Sequence, residues 1–147
     1  MIKLLFVCAG NTCRSPMAEA IFNARAPSRG LDSRAKSCGL YMFGHLPASQ
    51  LAIKAAKTFG GDLSKHRSMM FTEELMTEAD FVLCMTRAHL EYLCERFPQH
   101  TGRIFMLDNT DVIDPFGGDL DDYMHAAEQI SSAVDRIIGR LKTRESL

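Results

Sequence analysis

The opening stretch constrains the fold more than any other part of the chain. Residues 2–7 (Ile-Lys-Leu-Leu-Phe-Val) form a short, nearly continuous apolar run. A run of that kind suits a strand buried on both faces, as in a parallel sheet. Ser15-Pro16 then reads as a helix start, with Ser15 as N-cap and Pro16 at the first helical position. Glu19 falls one residue too late to complete a capping box. A buried strand, a tight loop and a helix form the first unit of an α/β fold, and such folds take ligands at the carboxyl ends of their strands.

The rest of the chain continues the alternation. Met17, Ile21 and Ala24 give the first helix an apolar stripe, and Gly30 lies in the loop beyond it. Residues 33–38 predict a second strand, and residues 47–59 a helix stopped by Gly60-Gly61. Residues 72–78 predict a short helix that Thr72 caps, followed by an apolar third strand over 79–85. A helix over 87–97 ends before Pro98, and a fourth strand covers 103–107.

The last segment has the clearest period. Leu120, Tyr123, Ala127, Ile130, Val134, Ile137 and Leu141 are spaced by three and four. Asp121 and Asp122 stand at its start, and Arg140, Lys142 and Arg144 near its end, as the helix dipole favours. A coiled coil has the same period, but so short a repeat favours a helix laid on a sheet. The whole reads as one domain, 1–147, of class α/β with a mainly parallel sheet.

Composition narrows the function classes. A formal net charge of -1 speaks against a nucleic-acid surface, and 46% hydrophobic residues speak against disorder. The five cysteines (Cys8, Cys13, Cys38, Cys84, Cys94) are odd in number and scattered, unlike a secreted disulfide scaffold. The apolar run at the start is too short for a signal peptide, and no stretch approaches a membrane span. The expectation is a cytoplasmic protein, monomeric by default, with no nucleic-acid or membrane partner.

The chemistry is concentrated in Cys8-Ala-Gly-Asn-Thr-Cys-Arg14-Ser15-Pro16. Cysteine, five residues and arginine, set between a strand and a helix, let successive N–H groups turn inward as an anion nest. The helix N-terminus adds its positive end. Ala9, Gly10, Asn11, Thr12, Cys13 and Ser15 would line the cradle. Gly10 allows close approach, and Asn11 tolerates a left-handed backbone. Arg14 would grip a phosphate with both guanidinium arms. Cys8, at the floor, would be a thiolate nucleophile, its pKa lowered by the same field and by a Ser15 hydroxyl. No Gly-Lys-Ser/Thr follows, so this is not a nucleotide P-loop. Four residues separate Cys8 from Cys13, which excludes a thioredoxin-like pair.

From Val7 to Pro16 the chain matches V-C-x-G-N-x-C-R-S-P and so resembles the low-molecular-weight protein phosphatases. Ser37-Cys38-Gly39, His66-Arg67, the segment from Asp80 to Thr86, and Asp114-Pro115-Phe116 extend the resemblance over nearly all of the sequence. It implies a four-stranded parallel sheet with helices on both faces and a phosphate-binding loop after the first strand. It also implies hydrolysis of phosphoproteins in two steps, without metal or other cofactor. Cys8 would form a cysteinyl-phosphate, Arg14 would hold the phosphoryl group, and Asp114 would act as acid and then base. Asp-Pro alone marks only a turn. His66 and Ser37 would join Asn11 and Ser15 in a supporting network.

Within that family, Thr12 and the run Asp114-Pro-Phe-Gly-Gly118 resemble bacterial protein-arginine phosphatases. Tyrosine-specific members usually carry a bulkier aliphatic residue at the Thr12 position, and a tyrosine phosphatase is the alternative reading. Phe116 would form an aromatic wall, and Tyr41, Met42 and Phe43 are candidates for another. Asp111, Asp114, Asp119, Asp121 and Asp122 would give an acidic rim suited to a cationic substrate. Cys13 would be a redox partner of Cys8, closing a disulfide across the cradle. A more remote alternative is a thiol-dependent arsenate reductase, for which Cys84 and Cys94 would have to supply the further thiols.

Overall fold

The computed structural model describes residues 1–143 and 147. Four strands, β1 (Ile2–Cys8), β2 (Ser33–Gly39), β3 (Phe81–Cys84) and β4 (Ile104–Met106), pair all-parallel in the order β2-β1-β3-β4. Five α-helices alternate with them: α1 (Arg14–Ser28), α2 (Gln50–Thr58), α3 (Glu73–Glu78), α4 (Arg87–Arg96) and α5 (Leu120–Lys142). The α/β reading, the strand positions and the parallel sheet are as expected. Arg144, expected near the end of the last helix, lies outside the described residues. No helix among the described residues is long and apolar enough to cross a membrane.

β1 is interior, which explains why its sequence is apolar almost throughout rather than alternating. Its two faces feed two cores. Leu4, Phe6 and Cys8 pack with α1, α2 and α5, through Met17, Ile21, Phe22, Ala52, Ile130 and Val134 among others. Leu5 and Val7 face the opposite way, into a second cluster with Cys38, Val82 and Cys84 of the neighbouring strands, Met76 of α3 and Leu93 of α4. Cys8 therefore ends the central strand on the α1 side. β1 and β3 are the neighbours at which the strand order reverses, and a parallel sheet opens its ligand crevice at that point.

Two helix starts and the buried stripe of α1 differ from the sequence reading. Helix α1 starts at Arg14, with Cys13 as a cap residue that makes no side-chain cap bond. Ser15 is thus inside the first turn, not the N-cap, and its hydroxyl points to the Cys8 sulfur instead of to the helix backbone. Pro16 remains in the first turn, where a missing N–H costs nothing. Helix α2 begins at Gln50, with Ser49 as its N-cap accepting from the Ala52 N–H at 3.2 Å, so the turn starting at Pro47 is loop. The stripe of α1 runs through Met17, Ile21, Phe22 and Ala26, while Ala24 faces solvent.

Helix α5 lies against α1, α2 and the sheet, not in a coiled coil, and nearly all its apolar stripe is buried. Leu120, at its first position, stays partly exposed. Asp119 and Asp122 close a capping box at its N-terminus, worth about 1 kcal/mol.

Candidate active site

The loop after β1 wraps around the end of the strand. Asn11 adopts φ 56°, the one left-handed non-glycine residue among those described, and it is fully buried. A side chain that hydrogen-bonds locally tolerates that backbone. Here the Asn11 amide does so on every side. Its Oδ1 accepts from the Met69 N–H at 2.9 Å, and its Nδ2 donates to Ser15 Oγ at 2.8 Å and to Ser37 Oγ at 2.9 Å. The Asn11 carbonyl accepts from His66 Nε2 at 2.9 Å, which fixes the tautomer of that ring. Asn11, Ser15, Ser37 and His66 thus come together as expected.

Glu19, which stands too late in the sequence to complete a capping box, joins this network. It accepts from the Ser37 hydroxyl at 2.6 Å. Burial pushes its carboxyl upward, opposed by the Ser37 hydrogen bond and by the His66 and Arg34 charges. Because Ser37 spends its proton on Glu19, it can only accept from Asn11, and so Asn11 is oriented. Ser15 in turn accepts from Asn11 and has its own proton free for Cys8 Sγ, 2.8 Å away; the competing Cys38 carbonyl is at 3.4 Å. The Asn11 N–H also points to that sulfur, at 3.3 Å.

The sulfur does not show the simple lowering expected from sequence. Burial at the end of the central strand raises the Cys8 thiol pKa. The Ser15 hydroxyl, the Arg14 charge and the Asn11 amide pull it back down, Ser15 most strongly. The local groups act in the expected direction, and removal from water outweighs them.

Cys8, Ala9, Gly10, Asn11, Thr12, Cys13, Arg14, Tyr41, Asp114 and Phe116 line one pocket of about 250 Å³. A groove of about 630 Å³ behind the Asp114 loop is larger, but it holds no nucleophile. Among the described residues, no protein acceptor faces the N–H groups of Gly10, Thr12 and Cys13, which leaves these dipoles for an anion. Arg14, only 5% exposed, donates to the Val112 carbonyl at 2.8 Å and stands 3.6 Å from Asp114 Oδ2. Asp114 holds its own turn, Oδ1 accepting from the Phe116 N–H at 3.1 Å. Its Oδ2 is left to face Arg14.

Within the protein, the glycine that permits a close backbone approach to this loop is Gly39. A Cβ at position 10 would meet only Thr12 Oγ1 at 3.9 Å, whereas one at position 39 would lie 2.7 Å from the Ala9 carbonyl oxygen. The same contact shows that the Thr12 hydroxyl lies over Gly10, on the pocket wall. Cys13 turns its sulfur to Tyr123 Oη at 3.4 Å and Ser49 Oγ at 3.6 Å, tying the loop to α5 and α2, and all five cysteines are free thiols. Tyr41 is the pocket wall from the loop after β2; Met42 is buried, and Phe43 points into solvent. Phe116 is the wall from the loop after β4.

Only Asp114 of the five-aspartate rim lines the pocket. Asp111 caps α4 by accepting from the Arg87 N–H at 2.8 Å, Asp119 and Asp122 cap α5, and Asp121 sits in its first turn. Cys84 is fully buried in β3, where removal from water pushes its thiol far up, and Cys94 sits on α4. Both lie in regular elements, and neither lines the Cys8 pocket.

This geometry has counterparts. A protein-arginine-phosphatase of Bacillus subtilis (strain 168) is 36% identical over 148 residues, covering 96% of this chain and 97% of the relative. A solved low molecular weight protein tyrosine phosphatase from T. tengcongensis superposes with TM-score 0.90 at 40% identity, covering 95% of this chain and 99% of that one. A cysteine-to-serine mutant of the YwlE arginine phosphatase, its active-site serine phosphorylated, superposes with TM-score 0.89 at 34% identity and 96% coverage of both chains. The family described as "Low molecular weight phosphotyrosine protein phosphatase" matches residues 3–147, nearly the full length of the sequence, and the chain belongs to that family.

Proposed function

We propose that this protein hydrolyses phosphoarginine in proteins through a cysteinyl-phosphate. The observation that carries the phosphatase reading is the directed hydrogen-bond chain from Glu19, Ser37 and Asn11 through Ser15 to the Cys8 sulfur. It orients a donor toward the nucleophile in a pocket that also holds Arg14 and Asp114. In the first step the thiolate forms an S–P bond as the P–N bond breaks, and the Asp114 carboxyl gives its proton to the departing nitrogen. In the second, Asp114 takes a proton from water, whose oxygen bonds to phosphorus as the S–P bond breaks. The loop N–H groups and Arg14 hold the phosphoryl oxygens throughout. The phosphorylated serine in the solved mutant of a relative supports the covalent route.

The choice of phosphoarginine rests on Thr12 and on the relative named for that activity. The Thr12 side chain is small, polar and on the pocket wall, so it leaves room and a hydrogen-bonding group beside the reacting bond. Replacing Thr12 with isoleucine should lower the ratio of kcat/KM for phosphoarginine over phosphotyrosine peptides by roughly tenfold or more. An unchanged ratio would remove Thr12 as the selector, and native activity confined to phosphotyrosine would favour the tyrosine phosphatase reading.

Ser15→Ala tests the hydrogen-bond chain. Ser15 lowers the Cys8 pKa, so its removal raises that pKa further. The thiolate then forms only at higher pH, and the acid limb of the kcat/KM profile moves upward. A limb that stays in place would mean that Ser15 does not serve the sulfur.

A further inference from the structure

The large exposed apolar side chains are not scattered. Of nine such residues among those described, all except Met1 come from the segments 41–46, 69–70 and 113–120. These segments flank the Cys8 pocket, which Tyr41 and Phe116 help to line. Exposed apolar surface gathered around a binding pocket marks contact with another molecule.

On the Tyr41 side a second cleft opens, of about 270 Å³, lined by the apolar Leu40, Met70, Phe71, Tyr92 and Phe97 and by the polar Thr72, Glu73 and Arg96. Its aromatic groups are set against one another. Phe71 and Phe97 pack with ring centres 5.7 Å apart, and the Arg96 guanidinium lies 5.3 Å over the Tyr92 ring. Arg96 has no carboxylate partner among the described residues.

The two clefts share one ridge. Tyr41 lines the Cys8 pocket, and its ring meets Tyr92 edge-on at 5.7 Å. Leu40, the preceding residue, lines the second cleft. The ridge is fixed to the phosphate loop, because the Leu40 and Tyr41 N–H groups donate to the Cys8 and Ala9 carbonyls at 3.0 and 2.9 Å. The spacing between the clefts is therefore built into the same loop that carries the nucleophile.

We infer that the cleft between Leu40, Phe71, Tyr92 and Phe97 is a docking subsite for a large apolar side chain of the protein that bears the phosphoryl group. The inference rests on the proposed phosphatase activity. A side chain delivered to Cys8 brings its own backbone to the Tyr41 ridge, so the chain that crosses the ridge is the substrate. Five of its eight lining residues (Leu40, Met70, Phe71, Tyr92 and Phe97) are apolar or aromatic and would hold an aliphatic or aromatic side chain, with the polar groups of Thr72, Glu73 and Arg96 beside it. One ring separates the clefts, so the docking residue lies two or three positions from the phosphorylated one, about 7–10 Å along an extended chain.

The test uses the native protein and paired peptides. Each pair carries phosphoarginine or phosphotyrosine and has leucine or glycine at one position, two or three residues before or after it. At one of these positions the leucine peptide should show roughly tenfold higher kcat/KM, mainly through KM. In Tyr92→Ala the leucine-to-glycine ratio should fall toward one, whatever the variant does to the overall rate. Equal turnover of leucine and glycine peptides at all four positions would overturn the subsite and leave the activity standing. No turnover of any peptide or of free phosphoarginine would overturn the activity and the subsite with it.

Discussion

Cys8→Ser is expected to cut kcat by about ten-thousandfold or more on every phosphoprotein substrate. A serine oxygen at this position inherits the Ser15 hydroxyl and the Asn11 N–H but not the acidity of a thiol. The anion cradle is untouched, since it is made of loop N–H groups and Arg14. The dissociation constant for inorganic phosphate, measured by direct binding, should therefore stay within about threefold of native while turnover is lost. Turnover above about 1% of native would show that Cys8 is not the nucleophile. Burial raises the thiols of Cys38 and Cys84 too, but only Cys8 combines hydroxyl and amide donors at its sulfur with a place on the pocket lining.

Much of this arrangement was legible because it is local. The apolar run of β1 fixes a buried central strand, and the spacing from Cys8 to Arg14 fixes a loop between that strand and a helix. Asn11, one of the few side-chain types that tolerate a left-handed backbone, is the residue that adopts one. Contacts made across the sheet were not legible. Gly39 lies beside Cys8 only through the β1–β2 register, and Glu19 reaches Ser37 only because α1 packs on β2. The exchange of roles between Ser15 as cap and Ser15 as sulfur partner has the same origin. A serine before a proline signals a helix start, and only the placement of Cys8 shows that a stronger claim exists on its hydroxyl. The aspartates mislead for the opposite reason. Caps on α4 and α5 place Asp111, Asp119 and Asp122 near Asp114 in sequence, while their carboxylates are spent on backbone N–H groups.

Asp114→Asn should separate the two substrates' dependence on proton transfer. The amide oxygen of asparagine can still accept from the Phe116 N–H, so the turn that carries residue 114 keeps its shape. Arg14 keeps its bond to the Val112 carbonyl when the ion pair is lost. What disappears is a group that gives up and takes a proton. A guanidine departs as a very strong base, so P–N cleavage needs the proton from Asp114. The expected loss in kcat on phosphoarginine is about a hundredfold to ten-thousandfold. A nitrophenyl phosphate expels a stable phenolate and needs little help in the first step. It should therefore load Cys8 readily and then stall, because Asp114 no longer activates water for the second step. The measurement is a rapid burst of nitrophenol, close to one per enzyme molecule, followed by slow turnover. No burst, with equal losses on both substrates, would place Asp114 in binding and would require another acid for the reaction.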